Sequence, residues 1–229
     1  MADAICGLWV ADDGRAHLTV ATPDGGRAER IDSFRPFAWL NDTPAAANLH
    51  AVAIERLAGN GPFDRLIHAD NLAAYEAFLK EARDAVTIDS IRPLESQYLL
   101  QHRHRLYGDL GFHHIRRLQL DIETGSADGG FSDAANPGDR VLAIGLRQGG
   151  KNRLLLLAEM TDAAEKHLLE SFNAALRELD PDVIEGHNLF KFDLDYLRQR
   201  CRRFKVPCAW GRYGQKAAFR PSRLKVAER

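Results

Sequence analysis

Short runs of alternating apolar and polar residues dominate the N-terminal half of the chain. This alternation points successive side chains to opposite faces and predicts β-strands, which Asp- and Gly-rich turns at 12–14 and 23–26 separate. Apolar positions at helical spacing predict one helix, Asp70–Arg83. We therefore predict a smaller α+β domain over residues 1–108. Its predicted strands are Cys6–Ala11, His17–Ala21, Pro36–Leu40, Ala51–Leu57 and Val86–Arg92.

The pattern changes after residue 108. A short apolar strand is followed by a Gly/Ser/Asp/Pro-rich loop at 125–139, two strands joined as a hairpin, a helix, a strand and a second helix. Asp162 and Glu165 resemble a capping box at the start of the first helix. This order predicts an α/β domain over residues 109–229, with a mixed sheet flanked by helices. The predicted elements are strands Leu118–Ile122, Val141–Arg147, Arg153–Leu157 and Asp182–Glu185, a helix ending near Leu179, and a helix beginning near Phe190.

Composition limits the class of protein. The chain has 229 residues, of which 45% are hydrophobic and 28% charged, as in globular proteins. No apolar run approaches the roughly 20 residues that a membrane span needs, and the N-terminus lacks the pattern of a signal peptide. The three cysteines have no Cys-x-x-Cys spacing and are expected to be free thiols in a reducing compartment. We therefore expect a cytoplasmic protein without a membrane partner.

Charge is unevenly distributed along the chain. The net charge is −1 overall, but residues 198–229 carry a net charge of +10 and the rest of the chain −11. A basic segment on an acidic body favours contact with a polyanion, although a solvated C-terminal segment has the same composition.

Two carboxylates mark the end of the first strand of the second half. In Asp121-Ile122-Glu123, strand alternation places both acidic side chains on one face. Two such acids repel each other, and a divalent cation such as Mg²⁺ or Mn²⁺ between them relieves the repulsion. An isolated D-x-E sequence is more often an exposed, solvated strand end, so this pattern alone is weak.

A second acid follows a strand, a glycine and a turn, in the segment from Gly186 to Asp193. Asp193 is predicted in the first turn of a helix, where the helix dipole favours a charged carboxylate. The same position is also common for acids that only complement the helix charge, and Asp195 would serve that role equally well.

Together the two segments resemble the first and second exonuclease motifs of the family B DNA polymerases. The first motif of that family is D-x-E, here extended by Thr124, and the second is N-x(2–3)-F-D, here Asn188 through Phe192 and Asp193. The spacing of roughly 70 residues and the flanking strands agree with the family, and the resemblance covers most of the chain. It implies a ribonuclease-H-like fold for the second domain, a choice that periodicity alone leaves open.

The resemblance also implies a metal-dependent 3′→5′ exonuclease of the DEDD type. Asp121, Glu123 and Asp193 would hold two divalent cations, Mg²⁺ or Mn²⁺, about 3.5–4 Å apart. Thr124, Asn188 and Phe192 would contact the single-stranded 3′ end of DNA, with Phe192 equally open to a role in core packing.

The family's third motif, Y-x-x-x-D, is not found, because Tyr196 and Tyr213 lack an Asp four residues later. We expect that motif and the polymerase palm to lie beyond Arg229, in the remainder of a longer polymerase chain. The expectation for this chain alone is therefore weak turnover, with self-association possible through apolar surface left exposed. Two alternatives stay open, a non-catalytic nucleic-acid-binding module of the same fold and an RNA-directed DEDD nuclease.

Overall fold

The computed structural model describes residues 4–44, 52–108, 110–215 and 217. The chain divides into two compact units, Met1–His114 and Ile115–Arg229. The domain boundary after residue 108 inferred from the sequence stays a prediction. Among the described residues, none of the helices is long and apolar enough to cross a membrane.

The described residues of the first unit form two antiparallel sheets and two α-helices. Strands β1 (Ile5–Val10), β2 (Arg15–Ala21) and β3 (Arg27–Ser33) pair in that order. The second sheet has the order β5-β6-β4-β7, and a buried cluster that includes Leu18, Ile67 and Phe78 joins the helices to the strands. The remaining elements are β4 (Phe37–Leu40), β5 (Val52–Arg56), β6 (Arg65–Ala69), β7 (Ile88–Asp89), α1 (Leu72–Ala82) and α2 (Leu94–Gln101).

Three elements of this unit were not predicted, namely β3, β6 and α2. Charged residues dominate β3, and most of its side chains are exposed or half-buried, so its pairing with β2 leaves no apolar signal in the sequence. In α2, the buried side chain of Gln97 accepts a hydrogen bond from the Phe37 amide at 2.9 Å. The predicted strand at 86–92 shrinks to Ile88–Asp89, and Ala51 of the predicted 51–57 strand lies outside the described residues.

The second unit has the predicted mixed sheet flanked by helices. Strands β8 (Arg117–Thr124), β9 (Val141–Gln148) and β10 (Lys151–Leu156) are antiparallel neighbours, and β11 (Val183–Glu185) runs parallel to β8 on its other side. The order β10-β9-β8-β11, with α3 (Asp162–Leu179) between β10 and β11 and α4 (Asp193–Arg203) after β11, confirms the ribonuclease-H-like α/β class.

One face of this sheet carries the core. Leu118, Leu120 and Ile122 of β8 alternate with exposed residues and pack with Ile144 of β9 and Phe172 of α3. Because strand side chains alternate, the acids of β8 must lie on the opposite face. The fold therefore separates an apolar, helix-covered face from a face that carries charge.

Two helix starts differ from the prediction. The N-cap of α3 is Thr161, whose side chain accepts from the Ala164 amide at 3.2 Å, and the side chain of Glu165 is buried in an ion pair instead of capping. Helix α4 begins at Asp193, not near Phe190. Asn188 has φ +52°, a left-handed conformation that ends the extended chain in a turn before the helix can start.

Candidate metal and nucleic-acid site

Strand β8 presents Asp121 and Glu123 on the exposed face of the sheet. Both side chains are exposed, while their neighbours Leu120 and Ile122 are buried, as the alternation requires. Asp121 is paired with Gly145 of β9, and Glu123 with Ala143. Small partners leave the space beside each carboxylate open, so both acids can be reached by a ligand.

Asp193 is brought to β8 by a close approach of the two backbones. At Gly186, a Cβ atom would lie 2.4 Å from the Leu120 carbonyl oxygen, which is closer than real side chains approach. The glycine is therefore required by this contact, and its φ is not in the left-handed region. Seven residues later, Asp193 Oδ1 accepts a hydrogen bond from the Ile122 amide at 3.2 Å. The second motif thus docks onto the middle of the first.

The electrostatics of Asp193 reflect this docking. Its side chain is nearly fully buried, with a relative exposure of 2%. Burial raises the pKa of the Asp193 carboxyl above its usual value, and the negative charge of Asp121 acts in the same direction. Hydrogen bonds from the Asp193 and Ile122 amides and the positive charge of His187 oppose the increase. Asp121 therefore lies close enough for its charge to disfavour the ionised form of Asp193.

A complete cluster of metal ligands is not formed by these side chains alone. Within the described ranges, no group of three or more His, Cys, Asp or Glu side chains is placed to hold one metal ion. The structure brings Asp193 to the Ile122 amide, one residue from Asp121, and puts Glu123 on the same strand face as Asp121. The assignment of all three acids as ligands stays a prediction.

The three residues predicted to contact DNA have different surroundings. The Thr124 hydroxyl lies 2.7 Å from the Ser132 hydroxyl, at a register shift of β8. Asn188 is exposed, and its carbonyl accepts from the Lys191 and Phe192 amides at 3.1 and 3.0 Å. Phe192 is half-buried against the core, with its ring 5.5 Å from that of Tyr196. Phe192 therefore has a structural role whether or not it also touches a nucleic acid.

A buried ion pair that the sequence did not indicate supports the loop after the first motif. Arg200 and Glu165 are both fully buried, with Arg200 Nη2 2.6 Å from Glu165 Oε2. Arg200 also donates to the carbonyls of Ala134 and Asn136, at 3.1 and 2.8 Å. Leu194, Leu197 and Cys201 form an apolar stripe on α4, but nothing in the local sequence indicates that Arg200 also turns inward.

Asp139 fixes the same loop from its other end. Its carboxylate is buried and accepts from the amides of Ala127 and Asp133, each at 2.8 Å. The Tyr196 hydroxyl donates to the Asp139 carbonyl at 3.0 Å. The polar loop predicted at 125–139 is thus ordered by internal hydrogen bonds.

Several cations of the basic C-terminal segment are already paired. Arg212 bonds to Asp180 and Asp182, Arg198 to Asp195, and Arg200 to Glu165. Because these three arginines already pair with carboxylates, fewer cations of this segment are available for the phosphate contacts expected from the charge pattern. Residue 216 and residues 218–229 of the segment lie outside the described residues.

Comparison with known proteins identifies the family. Residues 89–227 match the model of the DNA polymerase family B exonuclease domain. A DNA polymerase of Archaeoglobus fulgidus is 28% identical over 118 residues, 52% of this chain and 14% of that protein. DNA polymerase 2 of Aeropyrum pernix is 36% identical over 101 residues, 43% of this chain and 12% of that protein. The DNA polymerase delta catalytic subunit of Bos taurus is 33% identical over 107 residues, 41% of this chain and 10% of that protein.

The fold is also similar to that of a solved structure. The structure of the family B DNA polymerase from the archaeon Pyrobaculum calidifontis superposes with a TM-score of 0.64, covering 91% of this chain and 33% of that one, at 20% identity. The chain therefore belongs to the family B DNA polymerase exonuclease-domain family, as the two motifs predicted. Exonuclease domains of this family depend in general on metal ions. The chain spans between about a tenth and a seventh of the length of these curated relatives, which are larger polymerase chains.

Proposed function

We propose that this chain provides the exonuclease site of a family B DNA polymerase, which as part of a longer polymerase chain hydrolyses phosphodiester bonds from the 3′ end of DNA. The observation that carries the proposal is the docking of Asp193 onto β8 through the Ile122 amide, next to Asp121. In this arrangement the acids of both motifs lie beside one strand. Membership of the family indicates the class of reaction, and Asp121, Glu123 and Asp193 are residues of the type that this reaction needs.

The donor set suits a divalent cation that prefers oxygen ligands. Burial disfavours the charge of Asp193, and the negative charge of Asp121 disfavours it further. A cation relieves both effects, which is the physical reason to expect one here. Asp121, Glu123 and Asp193 would hold two cations, Mg²⁺ or Mn²⁺. Bound there, divalent cations supply an activated water and stabilise the leaving 3′ oxygen.

The other residues of the site would bind and orient the substrate. The Thr124 hydroxyl and the Asn188 side chain offer hydrogen bonds to a single-stranded 3′ end, and the edge of the half-buried Phe192 offers an apolar surface. The partners we propose are that single strand and the remainder of a polymerase chain. Self-association through exposed apolar surface is a further proposal about partners, and sedimentation at two protein concentrations tests it.

Calorimetric titration with Mn²⁺ tests the site directly. We expect binding that Asp121→Ala and Glu123→Ala each weaken at least tenfold, because each removes a charged ligand. Glu159→Ala is the matched control, since Glu159 is also an exposed acid in the second unit but lies outside the site. Equal Mn²⁺ affinity in all four proteins would refute the assignment.

Digestion of labelled oligonucleotides tests the reaction and separates the alternatives. With the full polymerase chain, a product ladder that shortens single-stranded DNA from its 3′ end, and that Asp121→Ala abolishes, supports the proposal. Digestion of RNA but not of DNA would show that the substrate is RNA and would favour the RNA-directed nuclease. Binding of DNA without hydrolysis by the full polymerase chain would favour the non-catalytic module.

A further inference from the structure

Strand β8 loses its regular pairing with β9 directly after Glu123. Glu123 pairs with Ala143, whereas Thr124 pairs with Val141, so Leu142 is an extra residue on β9. Such a β-bulge disrupts the hydrogen bonds between the strands and changes the direction of nearby side chains. The direction of the Glu123 side chain therefore depends on what holds the end of β8.

A residue of the loop that follows β8, Ser132, contacts this strand end. The Ser132 hydroxyl lies 2.7 Å from the Thr124 hydroxyl, at hydrogen-bonding distance, and both residues are half-buried. The Gly125 amide adds a backbone hydrogen bond to the Arg140 carbonyl at 2.8 Å. The contact between the two hydroxyls thus joins the loop to the residue next to Glu123.

Ser132 is itself held in place by Asp139 and by helix α4. The amide of Asp133, the next residue, donates to the buried Asp139 carboxylate at 2.8 Å. The Tyr196 hydroxyl of α4 donates to the Asp139 carbonyl at 3.0 Å. Burial raises the pKa of Tyr196, and the Ser132 hydroxyl opposes this increase, so Ser132 also lies close to the Tyr196 phenol. A chain of polar contacts therefore runs from α4 to the end of β8.

The loop contributes little to the hydrophobic core. The structure describes all of residues 125–139, and Ala134 is the one apolar side chain among them that is buried, whereas Phe131 is fully exposed. Because the loop buries so little apolar surface, packing does not explain why polar contacts hold it so closely. Holding the end of β8 is a role that these contacts fit.

We propose that Ser132 is a positioning residue for Glu123. Its hydrogen bond with Thr124 fixes the end of β8, so that the Glu123 carboxylate keeps the direction that cation binding needs. The inference rests on the proposed function and deepens it by naming a residue that acts on the metal site without touching metal or substrate. Hydrogen bonds that orient metal-binding carboxylates raise the affinity for the metal, and their loss lowers it.

Calorimetric titration with Mn²⁺ tests the inference by comparing two serines of the same loop. Ser126 is half-buried like Ser132, but its hydroxyl donates to Asp128 at 2.8 Å and not to β8. We expect Ser132→Ala to weaken Mn²⁺ binding about fivefold, the loss expected for one hydrogen bond, and Ser126→Ala to leave it unchanged. Ser132→Thr keeps a hydroxyl and should retain the wild-type affinity. Thr124→Val removes the other end of the same hydrogen bond and should have the effect of Ser132→Ala, with no further loss when the two are combined.

The same measurement in two other backgrounds separates positioning from a general loosening of the fold. If Ser132 acts through Glu123, Ser132→Ala has no further effect in Glu123→Ala, because the side chain that it positions is gone. In Asp121→Ala, which keeps Glu123, the roughly fivefold effect should persist. A loosened fold would instead weaken the remaining binding in both backgrounds.

The outcomes separate this inference from the proposed function. Unchanged Mn²⁺ affinity in Ser132→Ala and Thr124→Val, an affinity of Ser132→Thr as low as that of Ser132→Ala, or an equal loss in the Glu123→Ala background would overturn the role of Ser132 and leave the metal site standing. Mn²⁺ binding that does not depend on Glu123 would overturn the metal assignment, and this inference with it.

Discussion

Replacing Arg200 by methionine should destabilise the second unit strongly. The guanidinium donates to Glu165 at 2.7 and 2.6 Å, and both side chains are fully buried. Without it, the Glu165 carboxylate keeps hydrogen bonds from the Val141 amide and Arg140, each at 3.2 Å. Removing one partner of a buried ion pair costs about 3–5 kcal/mol, because an uncompensated charge stays buried. The remaining contacts place the expected loss near the lower end, about 3 kcal/mol.

Denaturation in urea measures this loss, with Trp210 as the probe. Trp210 lies in the second unit, its ring centroid 5.8 Å from that of Phe172, so its fluorescence reports that unit. Replacing Trp9 and Trp39 by phenylalanine removes the signal of the first unit. Arg153→Met is the matched control, since Arg153 pairs with Glu178 at the surface, where such pairs contribute about 0–1 kcal/mol.

A double replacement separates charge from packing. In Glu165→Met/Arg200→Met no unpaired charge remains, but the Val141 amide and the carbonyls of Ala134 and Asn136 lose a partner. The double variant should therefore be about 1–2 kcal/mol more stable than Arg200→Met without reaching the wild type. A loss below about 1 kcal/mol for Arg200→Met, or a double variant as unstable as the single one, would refute the electrostatic explanation. The same variants report on the loop at 125–139, because Arg200 also bonds to the carbonyls of Ala134 and Asn136.

Three further predictions concern the site. The pKa of Asp193 is raised in the folded state, so the folded protein holds the Asp193 proton more tightly than the unfolded chain does. Stability therefore falls as the pH rises from the unfolded-state pKa of this carboxyl through its folded-state pKa. Asp193→Asn should therefore have a higher melting temperature than the wild type at pH 7.5 in EDTA but not at pH 3.5. An increase of equal size at both pH values would contradict this. Phe192→Ala should lower the free energy of unfolding in urea by about 2 kcal/mol through lost core packing. Phe190 is 75% exposed, so Phe190→Ala should change stability by less than about 0.5 kcal/mol, and equal losses in the two variants would refute this reasoning. Binding of single-stranded DNA should weaken steeply with salt, and Arg202→Gln should lower the slope by about 0.7, while a flat response would exclude phosphate contact.

Much of the second unit was predictable from local patterns. The strands β8 to β10 and the end of α3 follow apolar periodicity, which the core enforces because each strand or helix must bury one face. The acids at 121, 123 and 193 were candidates because two motifs with the right spacing agree with one family, whereas D-x-E alone is common. Family membership was thus readable from the sequence, and the comparisons confirm it.

Other features depend on contacts between distant residues. The inward turn of Arg200 requires Glu165, 35 positions earlier, and the requirement for Gly186 comes from the Leu120 carbonyl. The start of α4 depends on the turn at Asn188, and the open space beside Asp121 and Glu123 depends on the register of β8 and β9. No local sequence pattern predicts these contacts, because the burial and the charge environment of a residue depend on residues that are distant in the sequence. The sequence by itself determined which residue types were available and the family they belong to. Only the tertiary structure decided which acid is buried, which arginine is structural, and where glycine and alanine leave space beside the carboxylates.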